Sequence, residues 1–375
     1  MNFSFEVIYQ SKKSKARVGK IHTPHGTIDT PSFVAVGTNA TIKALDSKML
    51  ENINLDLMFC NTYHLLLQPG PEVVQKAGGL HKFMNRTKPI ITDSGGFQVF
   101  SLAYGSVADE LKSKGKKKSS GSVLKISEEG VTFRSYVDGK KILLTPETSI
   151  QIQKALGADI ILPFDELPPY HVTSDYLKKS LDRTHRWQIR SLKEHQKNVL
   201  DQALYGIVHG GIQKELRQES CHVLREKPFD GFAIGGSFGK TLKDMVNMVS
   251  FTVPCLPEEK PIHLLGIADL PSIQEIIPLG IDTFDSSYPT RVARHGLLLT
   301  HDKTVKIKAS ENRALLGPIE EGCSCFTCQH YSRAYLHHLF KANELTFYTL
   351  ATIHNLHFMV NYLKEIRQAI LDDRI

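Results

Sequence analysis

A parallel (β/α)8 barrel is the α/β fold this sequence predicts, and three observations predict it. Eight short, apolar, β-rich runs recur between residues 31 and 285, amphipathic stretches of helical length separate the later ones, and acids or glycines follow most runs directly. In order, the runs are PSFVAV (31–36), LDLMFC (55–60), KPIIT (88–92), ADIILPF (158–164), ALYGIV (203–208), FDGFAI (229–234), PIHLLG (261–266) and IDTFD (281–285). Each is four to eight residues of near-continuous apolar character, the pattern of a strand buried on both faces. The helical stretches are 146–156, 174–198, 212–226, 241–251 and 270–278; two open with a proline and one with Thr-Leu-Lys-Asp, both helix-start signals. A doubly wound open sheet is the runner-up. Residues 3–28 and 123–144, the latter turning at Asp138-Gly139, read as antiparallel hairpins attached to the barrel. Beyond 300 the strand pattern stops, and 341–375 reads as helical. The expected organisation is a barrel with its hairpins over 1–300 and a smaller C-terminal zinc-binding subdomain over 301–375 packed on it.

Composition narrows the class. A chain of 375 residues that is 41% hydrophobic can bury a full core, which excludes both a disordered chain and a disulfide-stapled mini-protein. No run approaches the roughly 18 apolar residues of a membrane span. The opening MNFSFEVIYQSKKSKAR places its charges after its apolar residues, the reverse of a secretory signal, so a cytoplasmic protein without membrane contact is expected. Lys+Arg exceed Asp+Glu by 46 to 39, a surplus compatible with a polyanionic partner but too small to specify one. The stretch KSKGKKKSSGS (112–122) has nothing to bury and reads as a solvated loop.

In a barrel of this kind the chemistry gathers at the carboxyl ends of the strands. The residues there are Asp93-Ser94-Gly95-Gly96-Phe97-Gln98, Asp165-Glu166, His209-Gly210-Gly211, Gly235-Gly236-Ser237, Gly266-Ile267-Ala268-Asp269 and Asp285-Ser286-Ser287. One acid after a strand is ordinarily a helix cap. Three strands ending in Asp beside two Gly-Gly turns instead favour a pocket, in which glycines let backbone amides approach a planar ligand and carboxylates move protons or attack carbon.

Six cysteines are present, and three of them, Cys323, Cys325 and Cys328, crowd into one hexapeptide. Three thiolates and a fourth ligand would make a closed, structural zinc site. The favoured fourth ligand is His354, with His330, His337, His338 and His357 as competitors that spacing leaves open.

Over essentially its whole length the chain resembles the bacterial-type tRNA-guanine transglycosylases, also named queuine tRNA-ribosyltransferases. The resemblance is carried by TPSFVAVGT near the start, DSGGFQVFSL (93–102), FRSYVDGKKILLTPE (133–147), FDE (164–166), FDGFAIGG (229–236), FDSSYPTRVAR (284–294), CSCFTC (323–328) and IHN (353–355). It implies a (β/α)8 barrel with an attached zinc subdomain, usually a homodimer. The implied reaction exchanges guanine at the anticodon wobble position 34 of tRNA for a 7-deazaguanine base, preQ1 or queuine. The interval from Cys328 to His354 and the His-Asn pair also fit the family's zinc pattern.

Carried over residue by residue, Asp285 resembles the nucleophile that attacks ribose C1′, and Asp93 the second acid, which manages the proton of the leaving or entering base. Such a pair suits displacement at an anomeric carbon. Asp165 resembles the reader of the guanine N1/N2 edge, Gly236 offers its amide to O6, and Phe97 and Leu265 sandwich the ring. Ser94, Gly95, Gly96 and His209 complete the base pocket. Gly266, Ile267, Ala268, Asp269, Leu270, Pro271 and Ser272, with Thr290, Arg291, Val292, Ala293 and Arg294, resemble the segments that hold tRNA. The sequence departs from the family at His209 (commonly Gln), Ser237 (Leu), Leu167 (Cys or Val), Leu265 (Met) and Ser286-Ser287 (Cys-Val). Gly239 replaces a frequent Val, which predicts a pocket roomier toward the 7-substituent. Two other readings are a zinc hydrolase, which needs an open metal position at the strand ends, and a non-catalytic RNA-binding subunit, which has no use for paired carboxylates.

Overall fold

The computed structural model describes residues 3–104 and 123–375; the basic stretch 112–122 lies outside them. The chain begins with a three-stranded antiparallel sheet of β1 (Ser4–Gln10), β2 (Arg17–Thr23) and β3 (Gly26–Thr30). It then enters the barrel through β4 (Ser32–Val36), β5 (Leu57–Cys60) and β6 (Ile90–Thr92). A second antiparallel sheet, β7 (Val123–Ile126), β8 (Val131–Arg134) and β9 (Lys141–Leu144), intervenes. The barrel resumes with β10 (Ile160–Ile161), β11 (Ala203–Val208), β12 (Gly231–Ile234), β13 (Ile262–Leu264) and β14 (Thr283–Ser286). All eight barrel strands are parallel, and β14 pairs back onto β4 with Phe284 beside Phe33, which closes the sheet and rules out the open doubly wound alternative. Each strand lies within or at the edge of an apolar run that predicts it, usually shorter by a residue or more at an end.

Two apolar layers hold the barrel. Inside, Val34, Leu57, Phe59, Ile91, Ile160, Leu162, Ala203, Tyr205, Ile207 and Ala233 pack together with Ile21 and Ile28 of the N-terminal sheet. That sheet therefore closes the amino end of the barrel, and Phe3 meets the Tyr205 ring edge-on at 5.9 Å. A buried ion pair pins it there: Arg17 donates to both oxygens of Asp282, through Nε at 2.8 Å and Nη2 at 2.6 Å. Outside, the helices bury a second layer against the strands. The sheet β7–β9 covers a separate cluster of Tyr63, Phe100, Phe133, Phe164 and Trp187.

Between residues 37 and 104 the chain forms five short helices, Ser47–Ile53, Thr62–Leu67, Pro71–Lys76, Gly79–Phe83 and Gly96–Tyr104, too short for an amphipathic period to announce. The expectation of one helical stretch over 341–375 is corrected. One helix ends at Lys341, Asn343 takes a left-handed conformation (φ 58°), and a second runs Leu345–Leu371. This terminal helix serves two cores. Phe347, Leu350 and Ala351 join Leu298, Ile307, Ile319, Cys325, Cys328 and Leu336, while Leu356, Met359, Leu363 and Ile370 pack into the layer around the barrel.

Candidate active site and metal centre

The strand ends at the carboxyl mouth run round the barrel in the order Asp93 after β6, Asp165 after β10, His209 after β11, Gly235-Gly236 after β12, Leu265-Gly266 after β13, and Asp285 within β14. Asp93 is 7% exposed and accepts from Asn61 Nδ2 at 2.8 Å and from the Thr62 amide at 2.7 Å. Burial nevertheless dominates those bonds and pushes its carboxyl up to about 6. Asp285, likewise 7% exposed, accepts from the Gly266 amide at 2.8 Å, and His263 Nε2 lies 3.2 Å from the same oxygen.

Asp165 bridges the pocket. Ser94 Oγ donates to its Oδ1 at 3.0 Å, and His209 Nε2 lies 2.8 Å from its Oδ2. The glycines are there for space: a Cβ on Gly96 would stand 2.7 Å from the Asp165 carbonyl, and Gly236 combines a φ of 85° with His209 Nδ1 3.0 Å from its would-be Cβ. Beside His209 and Gly236 lies a cavity of about 190 Å3 lined also by Glu166, Tyr170, Ser180, Gln213 and Ser237. Phe97 projects from the first turn of its helix, 54% exposed. Leu265 is half-buried against the barrel interior.

Gly239 is not part of this cavity. Its φ is 89°, and a Cβ there would lie 2.3 Å from the Asp244 side chain, whose carboxylate accepts from the Lys240 and Thr241 amides. The expectation that glycine at 239 enlarges the pocket is therefore corrected: it accommodates the cap of helix Leu242–Thr252.

Of the two segments expected to hold tRNA, Ala268 and Ala293 are buried in apolar clusters, and Thr290 and Ser272 are buried as well. Asp269 caps its own helix through the Ser272 amide at 3.1 Å. Gly266, Pro271 and Arg291 are exposed; Ile267, Leu270, Val292 and Arg294 are half-buried, and Arg294 donates to the Thr290 carbonyl at 2.9 Å. Asn61 and His263 touch the two carboxylates yet are absent from the sequence-based site. A histidine in the middle of the strand PIHLLG is the signal for the second; nothing local marks the first.

Cys323, Cys325, Cys328 and His354 converge with all four ligand atoms within 4.8 Å of one another. His354 Nδ1 lies 3.9, 3.5 and 3.4 Å from the three sulfurs in that order. Tetrahedral zinc, with Zn–S near 2.3 Å and Zn–N near 2.0 Å, sets S···N at about 3.5 Å, so the residues fit the ion. His354 Nε2 faces the Leu299 carbonyl at 2.7 Å, which places the proton on Nε2 and leaves Nδ1 to ligate. Hydrogen bonds from Cys325 and Cys328 hold the Cys323 thiol well below its ordinary range, toward the thiolate a metal needs. Among the competitors, His357 Nδ1 comes within 4.0 Å of Cys323, while His330 and His337 face backbone carbonyls.

Two further His/acid clusters among the described residues are shaped for purposes besides metal binding. The rings of His25 and His81 stack 3.5 Å apart beside Asp159, so no ion can lie in both ring planes; between Asp182 and Glu219, near His185, sits the Lys178 ammonium. Neither lies at the carboxyl mouth.

A family model described as queuine tRNA-ribosyltransferase matches residues 11–375. The chain belongs to the queuine tRNA-ribosyltransferase family. That membership makes it an enzyme of pentosyl transfer. It is 66% identical over 373 residues to the queuine tRNA-ribosyltransferase of Protochlamydia amoebophila (strain UWE25), covering 100% of this chain and 96% of the relative. It is 54% identical over 376 residues to that of Chlamydia abortus (strain DSM 27085 / S26/3) and 53% to that of Chlamydia trachomatis serovar D (strain ATCC VR-885 / DSM 19411 / UW-3/Cx), in both cases across the whole of both chains. Among the described residues, no helix of this family member is long and apolar enough to cross a membrane.

Proposed function

We propose that the enzyme exchanges guanine at position 34 of tRNAs with GUN anticodons (those for Asp, Asn, His and Tyr) for preQ1 or queuine, through a covalent aspartyl-ribose intermediate in queuosine modification. Asp285 attacks C1′ of the ribose as the bond to guanine N9 breaks, and Asp93 supplies the proton the departing base needs. The entering base then gives its N9 proton to Asp93 and attacks C1′, releasing the Asp285 carboxylate. The observation that carries this reading is the pair of acids at one mouth in unlike settings: Asp285 tethered through one oxygen, Asp93 buried and pushed up to about 6.

Asp165 reads the N1/N2 edge, where a carboxylate accepts two N–H bonds, in exchange for its present contacts to Ser94 and His209. Gly236 meets O6, and Phe97 and Leu265 enclose the ring with Ser94, Gly95 and Gly96 beneath. A single-stranded anticodon loop makes extrusion of the base cheap. The segments 266–272 and 290–294 carry the neighbouring nucleotides, with the exposed Arg291 on phosphate. Zinc at Cys323, Cys325, Cys328 and His354 is structural, because four protein ligands leave no open position. The unit 301–375 carries that site, while 1–300 carries the chemistry; the enzyme works in the cytoplasm as a homodimer.

The test is incubation with tRNA bearing guanine at position 34 and labelled guanine, followed by competition with preQ1 and queuine. Label entering that position and displaced by either base is expected. No incorporation into any G34 tRNA would remove the reading.

A further inference from the structure

Both donors to Asp285 fall on one oxygen. The Gly266 amide donates to Oδ1 at 2.8 Å, His263 Nε2 lies 3.2 Å from the same atom, and no hydrogen bond reaches Oδ2 from the described residues. We propose that His263 is a positioning residue for Asp285, holding Oδ1 so that Oδ2 is the atom that attacks C1′. The proposal rests on the reading of Asp285 as the nucleophile.

The strand register builds the arrangement. His263 on β13 is paired with Thr283 on β14, and Asp285, two residues beyond Thr283, points to the same face. The imidazole is wholly buried, with the Phe59 ring against it at 6.3 Å and 24°. Its Nδ1 lies 2.9 Å from Thr283 Oγ1. A neutral imidazole has one donor and one acceptor, and the threonine hydroxyl can donate to Nδ1, which leaves Nε2–H to face the carboxylate. The other tautomer would set a lone pair against Asp285 Oδ1. Thr283 thus selects the useful tautomer, and His263 passes that choice to Asp285.

The chemistry profits in both half-reactions. When Oδ2 bonds to C1′, Oδ1 becomes the ester carbonyl, already held by two donors. When the entering base displaces the ester, the C1′–Oδ2 electron pair returns to the carboxylate, and the same two donors stabilise the charge. A carboxylate free to rotate would present either oxygen, in varied directions, to a carbon that accepts attack along one line.

Four variants test this: His263→Phe, His263→Gln, Thr283→Val and Asp285→Asn. Phe keeps a ring and removes the donor, and Gln restores a donor toward Asp285 and an acceptor toward Thr283. The readouts are the single-turnover rate of covalent adduct formation at saturating tRNA, tRNA affinity and melting temperature. His263→Phe is expected to slow adduct formation about 10- to 100-fold with tRNA affinity unchanged, the loss of one hydrogen bond to a charged group. His263→Gln recovers most of the rate, and Thr283→Val falls between. A wild-type rate in His263→Phe overturns the proposal, as does an equal loss in Phe and Gln, which would make the residue merely structural. Should Phe lower the melting temperature enough to unfold the enzyme, a wild-type rate in Thr283→Val overturns it instead. Adduct persisting in Asp285→Asn would strike the nucleophile reading itself; its disappearance there, with no effect at 263 or 283, strikes only the role of His263.

Discussion

Asn355 Nδ2 donates to the Pro289 carbonyl at 3.0 Å, so the residue beside the metal-cluster histidine is bonded to the helix that follows the Asp285 strand. The same side chain accepts from the Leu299 amide at 3.0 Å, and His354 Nε2 faces the carbonyl of that residue. Metal cluster, terminal helix and the exit from β14 are therefore one hydrogen-bonded assembly.

Loss of the metal should loosen that assembly before it touches the chemistry. The enzyme is expected to bind one Zn2+ per chain, and Cys325→Ser or strong chelation to lower the melting temperature, because a closed thiolate site contributes its binding energy to folding. Elemental analysis and calorimetry check this. A metal-free chain with unchanged stability would show the cluster to be something else.

Asp93 sets a pH dependence. Its carboxyl is raised from 3.8 to about 6 by burial, so in its proton-accepting role it becomes competent as pH rises through about 6. The rate of base exchange should climb over that interval, and Asp93→Asn should abolish the limb with most of the activity. The sign for stability is opposite. A raised carboxyl favours the fold below about 4 and costs stability as pH rises past about 6, so Asp93→Asn should gain on the wild type in melting temperature between pH 4 and 8.

Gly239→Val should be a folding variant rather than a specificity variant. With φ at 89° and a Cβ 2.3 Å from the Asp244 side chain, valine must break the cap of helix Leu242–Thr252. The expected cost is about 1–3 kcal/mol, and rates with preQ1 and queuine should fall together. Competition kinetics beside a melting curve decide it; a penalty confined to queuine would restore the pocket-wall reading.

At the opposite end of the barrel, Arg17→Ala should destabilise by about 3–5 kcal/mol, since it strands the Asp282 carboxylate in the interior. Chemical denaturation measures this. A change within about 0.5 kcal/mol would mean that the ion pair does not pin the N-terminal sheet.

The barrel is legible in the chain because parallel strands buried on both faces must be apolar throughout, and the acids or glycines at most of their ends stand out against those runs. The metal cluster is legible for a similar reason: three thiols in six residues have few other uses. What escaped local reading is what depends on partners distant in sequence. Asn61 acts on Asp93 across neighbouring strands, and His263 reaches Asp285 only once β13 and β14 lie in register. Gly239 shows the converse. Its neighbours in sequence suggest a pocket wall, while its backbone conformation and Asp244 give it another task.

The most direct test of the account is the covalent adduct. Wild-type enzyme mixed with G34 tRNA and stopped in denaturant should yield a slowly migrating protein–RNA band. Asp285→Ala should yield none while retaining part of its tRNA affinity, because trapping needs the carboxylate and binding draws on many phosphate contacts. An adduct of wild-type intensity in Asp285→Ala would contradict the account.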